Sequence, residues 1–296
     1  MSFSADVKNE LLAVEQNNCC RLASDYALLL FGRAFSSKEI SVLTENEAIA
    51  LRFCDAVKFL SGCDIAPEKT EGKKFRVSIT DKSQIAAIFE KLGLSDAAVK
   101  KRINFANISE PCCNSAFLRG VFLACGTVTN PEKEYHLEFS VSSKGLCDDL
   151  LRIFDEFEPT PKVTQRGGSY TVYFKSSADI EDVLAIMGAT ENSMMYMHAK
   201  LVKDIRNTVN RKVNFDQANI ARTIAAATKQ YEAIAKIKEK IGFDALPPEL
   251  REIARLRYND RESSNSEIAA MLSKPLTVSG VNHRFQKLIK IAGELK

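Results

Sequence analysis

Apolar positions along the chain follow two rhythms. Residues 47–60, 83–93, 144–156 and 178–188 place apolar side chains three and four apart, the spacing of amphipathic helices. Residues 39–43 and 135–141 alternate, or are rich in β-branched and aromatic residues, which predicts strands. Residues 71–79 and 166–174 read as hairpin arms at glycine turns. Two further stretches, 27–32 and 117–126, are almost wholly apolar and predict buried helices. Their small residues, Ala27 and Gly120, would let two helices approach closely.

These elements recur in one order. Cys19-Cys20 is echoed by Cys112-Cys113 after 93 residues, and Phe75 by Tyr170 after 95. The chain therefore holds two copies, about 19–95 and 112–190, of an α-β-β-α-β-β-α unit. The expected class is α+β, with the copies packed about a pseudo-two-fold axis and their sheets forming a concave saddle. This unit resembles the LAGLIDADG homing-endonuclease fold. In that family each central helix ends in an acid just before a glycine, and the two carboxylates hold divalent metal for phosphodiester cleavage. The matching positions here are Gly32 and Cys125, and neither supplies a carboxylate. Asp25 lies about two turns too early to substitute. The expectation is a lost catalytic centre: no catalytic residue, no metal, no cofactor and no enzyme activity.

Composition agrees with a folded chain of two or three domains: 296 residues, 45% hydrophobic and 27% charged. No apolar run approaches the roughly 18 residues that span a bilayer. The N-terminal MSFSADVKNELLAVEQ lacks the apolar core of a secretory signal, so no membrane role and a cytoplasmic, nucleoid-associated location are expected. The eight cysteines comprise two adjacent pairs and the scattered Cys54, Cys63, Cys125 and Cys147. There is no C-x-x-C, and His136 and His198 have no paired ligand. The spacing predicts reduced, buried, structural thiols rather than zinc. The net charge of +3 conceals an asymmetry: residues 198–296 carry +8 and the remainder −5. A basic tail on an acidic body points to a polyanionic partner.

The tail carries a motif to match. The pattern divides the chain into a duplicated domain at 1–195, a helical connector at 196–244 and a helix-turn-helix domain at 245–296. Within the connector, residues 210–214 are basic and Asn-rich, and Asp216 is expected to open a long helix that ends at Gly242. Residues 246–249 signal the next helix, with proline in its first turn, and it should end near Tyr258. Ser264-Asn265-Ser266-Glu267 fits a capping box. Pro275 bars continuation, and Thr277 or Ser279 would cap a last helix to about Ala292.

On that last helix Val281, Phe285, Leu288 and Ala292 share one face. Ser279, His283, Gln286 and Lys290 lie opposite, flanked by Asn282, Arg284 and Lys287. Asn, Gln, His and Ser can read base edges, and Arg and Lys can reach phosphates. These residues, with Ser264, Thr277, Arg211 and Lys212, form the predicted DNA-binding set. No nucleophile or acid accompanies His283, so a base or phosphate contact is its expected role.

Taken together, Cys19-Cys20-Arg21, the degenerate duplication, Asn210-Arg211, Ala218-Asn219, Gln230 and the run Ser279-Gly280-Val281-Asn282-His283-Arg284 resemble the WhiA family across essentially the whole chain. Gly32-Arg33 and Phe285-Gln286 depart from its pattern. The resemblance implies a tail like sigma-factor region 4, and a DNA-binding regulator. Relatives are associated with sporulation in actinobacteria and with cell division and chromosome segregation in other Gram-positive bacteria. Double-stranded DNA is the implied partner, with a regulatory protein or RNA polymerase as the second class. An adaptor for the transcription or division machinery is the alternative function.

Overall fold

The computed structural model describes residues 2–70, 72–94 and 101–295. Glu71, in the first predicted hairpin arm, and residue 95, which closes the first predicted half, lie outside the described residues. So does Lys296, the end of the predicted tail domain. The chain divides into two compact units, Met1–Asp204 and Ile205–Lys296.

The first unit opens with α1 (Phe3–Ala13). The first repeat follows as α2 (Asn18–Leu30), β1 (Ala34–Phe35), β2 (Ile40–Thr44), α3 (Glu47–Ser61), β3 (Glu68–Thr70), β4 (Lys74–Ile79) and α4 (Lys82–Lys91). The second runs α5 (Pro111–Cys125), β5 (Gly126–Val128), β6 (Leu137–Val141), α6 (Lys144–Phe154), β7 (Lys162–Arg166), β8 (Ser169–Phe174) and α7 (Ser177–Met187). Each repeat is the predicted α-β-β-α-β-β-α unit. The antiparallel sheets have the same strand order, β1-β2-β4-β3 and β5-β6-β8-β7. Register follows the apolar alternation: Val42 faces Val77, and Phe139 faces Val172.

Helices α2 and α5 form the centre. Every residue from Ala23 to Leu30 is buried, so α2 is enclosed on all sides along its second half. The contact needs glycine at 120: a Cβ there would lie 2.2 Å from the Ser24 carbonyl oxygen. Two aspartates of this unit are fully buried. Asp25 pairs with Arg52 and with Arg21 at 3.6 Å. Asp149 accepts a two-pronged contact from Arg102 and the Ile103 amide at 3.0 Å, which ties the inter-repeat segment to α6.

The long helix α8 (Thr190–Lys240) revises the expected connector. Residues 210–214 are helical, and Asp216 lies deep inside the helix rather than at its start. The Asn-rich composition suggested a break. However, no glycine or proline occurs from 190 to 240, and helix propensity penalties for Asn are small. Both ends of α8 enter a core while its middle does not: Tyr196, Ile234 and Ile237 are fully buried, whereas Ile220 and Ile224 are exposed. Helix α1 is an addition to the sequence reading, which also gave no ranges for the two- and three-residue strands β1, β3 and β5 of the predicted unit. Strands that short carry too few residues for a period to show.

The cysteines need correction too. Cys19 and Cys112 are exposed rather than buried, and the two adjacent pairs, remote in sequence, converge in space. Spacing within one segment could not reveal side chains brought together from two repeats.

The second unit begins within α8, at Ile205, and continues with α9 (Pro248–Asn259), α10 (Asn265–Met271) and α11 (Val278–Glu294). Its core joins Ile234, Ile237, Leu250, Ile253, Ile268, Val281, Phe285 and Leu288. Among the described residues, no helix is long and apolar enough to cross a membrane.

Candidate nucleic-acid interface

Local chemistry sets the start of each tail helix. Ser264 caps α10 by a full capping box: its Oγ accepts from the Glu267 amide at 3.2 Å, and its own amide donates to Glu267 Oε2 at 2.6 Å. Thr277, not Ser279, caps α11, with Oγ1 accepting from the Gly280 amide at 3.2 Å. Pro275 lies in the turn between them. The result is a helix-turn-helix of α10 and α11 braced by α9.

The two faces of α11 separate cleanly. Val281, Phe285, Leu288 and Ala292 are buried. Ser279, Asn282, His283, Gln286, Lys287 and Lys290 are exposed. Of these, His283, Gln286, Lys287 and Lys290 have no hydrogen-bond or ion-pair partner among the described residues, so their polar groups face solvent. Arg284 behaves differently. It turns back to α9, pairing with the Glu249 carboxylate at 3.6 Å and donating to the Glu249 carbonyl at 3.3 Å. Arg211 and Lys212 are exposed on α8.

The organising residue of this unit is Arg257, which the prediction did not include. It is 1% exposed. Its guanidinium donates to Gln230 Oε1 at 3.1 Å, to the Arg261 and Ser263 carbonyls, and to Asn265 Oδ1 at 2.8 Å. It also lies over the Phe285 ring, 5.2 Å from the centroid. Asn265 passes the contact on, donating from Nδ2 to Asn282 Oδ1. A chain of hydrogen bonds thus runs from a buried cation to an exposed amide on α11, orienting that amide. The signal was present: Leu250, Ile253, Ala254 and Arg257 follow the i, i+3, i+4, i+7 pattern of a buried face. Beside this network lies a cleft of about 360 Å³, lined by Arg222, Thr223, Arg257, Ser264, Asn265 and Val278 among others.

In the first unit, the two positions that the sequence reading matched to the paired acids are Gly32 and Cys125. Gly32 follows α2, and a Cβ there would meet the Ser41 carbonyl oxygen at 2.8 Å, so no side chain fits without backbone movement. Cys125 ends α5, and burial pushes its thiol up to about 12. Its charged neighbour is Lys8 of α1, whose ammonium burial makes easier to deprotonate. A glycine, a neutral thiol and a lysine offer no hard oxygen ligand to a divalent cation.

Comparison with known proteins follows this division. Residues 114–206 match the WhiA LAGLIDADG-like domain, and residues 209–292 match the WhiA C-terminal HTH domain. The chain is 35% identical over 319 residues to the "Probable cell division protein WhiA" of Caldicellulosiruptor bescii, covering 100% of this chain and 96% of that protein. It is 37% identical over 307 residues to the Macrococcus caseolyticus protein of the same name, covering 100% and 97%. The crystal structure of full-length DUF199/WhiA from "Thermatoga maritima" superposes with a TM-score of 0.60 at 25% identity, covering 100% of this chain and 99% of that one. With both domains matched and full-length relatives above 30% identity, the chain belongs to the WhiA family.

Proposed function

We propose that this protein is a sequence-specific DNA-binding regulator, acting in transcription or nucleoid organisation during cell division and chromosome segregation, without nuclease activity. The observation that carries the reading is α11. Its apolar face is buried in the core, while Asn282, His283, Gln286, Lys287 and Lys290 stand exposed in the basic half of the chain. A helix of this kind docks in the major groove, where amides read base edges and lysines neutralise phosphates. Ser279 and the capped N-terminus at Thr277 would approach the phosphate backbone, with Ser264 at the start of α10 nearby. Arg211 and Lys212 would extend the contact along α8. Arg284 holds α11 onto α9 through Glu249, so its role is to position the helix.

The cell-division assignment draws on the names of the full-length relatives. The absence of cleavage rests on Gly32, Cys125 and Lys8, which leave no pair of carboxylates for a metal.

Selection of bound duplexes from a random pool by the full chain tests the DNA reading. Enrichment of one motif is expected, with affinity that falls as salt rises. No retention of any duplex at low salt would overturn it in favour of a protein–protein adaptor for the transcription or division machinery. Incubation of the selected duplex with the protein and Mg²⁺ should leave it intact.

A further inference from the structure

The N-terminal ends of the central helices carry chemistry that DNA binding does not use. Cys19 and Cys20 are the second and third residues of α2, and Cys112 and Cys113 hold the same places in α5. The duplication sets these two helix starts side by side. All four sulfurs lie within 4.8 Å of one another, and the Cys19 and Cys112 sulfurs are 3.9 Å apart. All eight cysteines are free thiols. A disulfide would need its sulfurs about 2.05 Å apart. Four sulfurs around a tetrahedral zinc at about 2.3 Å stand roughly 3.8 Å from each other. The observed gap matches the second spacing, and the widest separation needs only side-chain adjustment to reach it.

Two helix starts and one guanidinium face the cluster. Neither Asn17 nor Glu110 caps its helix with a side chain, so the positive ends of both helices meet the thiols. The Arg119 guanidinium lies within electrostatic reach of Cys20. A divalent ion bound here would displace the thiol protons and be held by thiolates. Cys19 and Cys112 are exposed, which leaves an entry path.

We propose that Cys19, Cys20, Cys112 and Cys113 form a structural zinc site that fastens the two repeats together where α2 and α5 begin. One Zn²⁺ is bound by four thiolates. Four Zn–S bonds form, the thiol protons leave to solvent, and no oxidation or reduction occurs. Soft sulfur ligands in a tetrahedral set select zinc over the hard cations that a carboxylate pair would hold. The inference is independent of the DNA-binding reading, because it concerns the stability of the first unit.

The test uses the full chain, reduced and stripped of metal. Titration with Co²⁺ should give thiolate-to-cobalt charge transfer and intense tetrahedral d–d bands, saturating at about one equivalent and abolished by zinc. Zinc should also protect the four clustered thiols from a thiol reagent. Cys19→Ser combined with Cys112→Ser should abolish the cobalt spectrum, and Cys63→Ser should leave it intact. Absence of a saturating cobalt spectrum in the unmodified chain, or lack of thiol protection by zinc, would overturn the proposal. So would a Cys19–Cys112 disulfide forming in a chain that takes up no metal when reduced. Because the cobalt and protection readouts use the unmodified chain, misfolding of the double variant would not obscure the outcome.

Discussion

The two units of this protein place their polar groups in opposite ways. In the first, charge is turned inward: Asp25 and Asp149 are fully buried, each against arginine, at the heart of a duplicated fold. In the second, one cation, Arg257, is buried as an anchor, and the face of α11 is left to solvent. The difference teaches which residues can recognise a partner. A buried charge is held by neighbours and contributes to a single conformation. An exposed amide or ammonium on a rigid helix keeps its bonding capacity for something else. In this chain a tightly packed helix pair supports the architecture of the first unit, and the second unit leaves the polar face of α11 to solvent.

The comparison is broken most severely at its inner anchors. Arg257→Ala should destabilise the second unit by about 3–5 kcal/mol, because it leaves a cavity and unpaired carbonyls and amides. Thermal unfolding of the full chain should show that unit's transition lowered. DNA affinity should fall with it, although no proposed DNA contact was altered. Asp149→Ala should lower the first unit's transition by about 2–4 kcal/mol, less than a fully buried pair would because half of the Arg102 side chain is exposed. It should leave the second unit's transition in place.

Asp25 gives a pH test of the inward charge. Burial pushes its carboxyl up to about 6 from 3.8, against the opposing pull of Arg52 and Arg21. A carboxyl that binds its proton more tightly when folded stabilises most at low pH, and that contribution is lost as pH rises through about 6. Relative to Asp25→Asn, the wild-type first unit should therefore lose about 2–3 kcal/mol between pH 4 and pH 7. A difference that is flat with pH, or that grows in the wild type's favour, would refute the assignment.

The outward face is sharpened by smaller effects. Asn282→Ala should cost about 1–3 kcal/mol on the preferred duplex and little on random DNA, flattening sequence preference at one position. Lys287→Ala with Lys290→Ala should weaken all duplexes alike and reduce the salt slope by about two. If the lysine pair altered sequence preference while Asn282 altered only the salt slope, the division of labour on α11 would be reversed.

Much of this was legible in residue order. Helix and strand periods of 3.6 and 2 report which face of a segment is buried, so the two repeats and the four-residue apolar stripe of α11 could be read directly. Capping is equally local, and Ser264 with Glu267 marked the start of α10. The continuity of α8 was also available, in the absence of glycine and proline from 190 to 240, but composition obscured it.

What tertiary structure alone decided is which distant groups meet. Arg284 reads as a solvent cation until α9 brings Glu249 beside it. Cys19 and Cys112 are ordinary thiols until two helix starts, 93 residues apart, are set together by packing at Gly120. Periodicity is a property of neighbours along the chain. Pairing across it depends on how two surfaces close, and no local spacing encodes that.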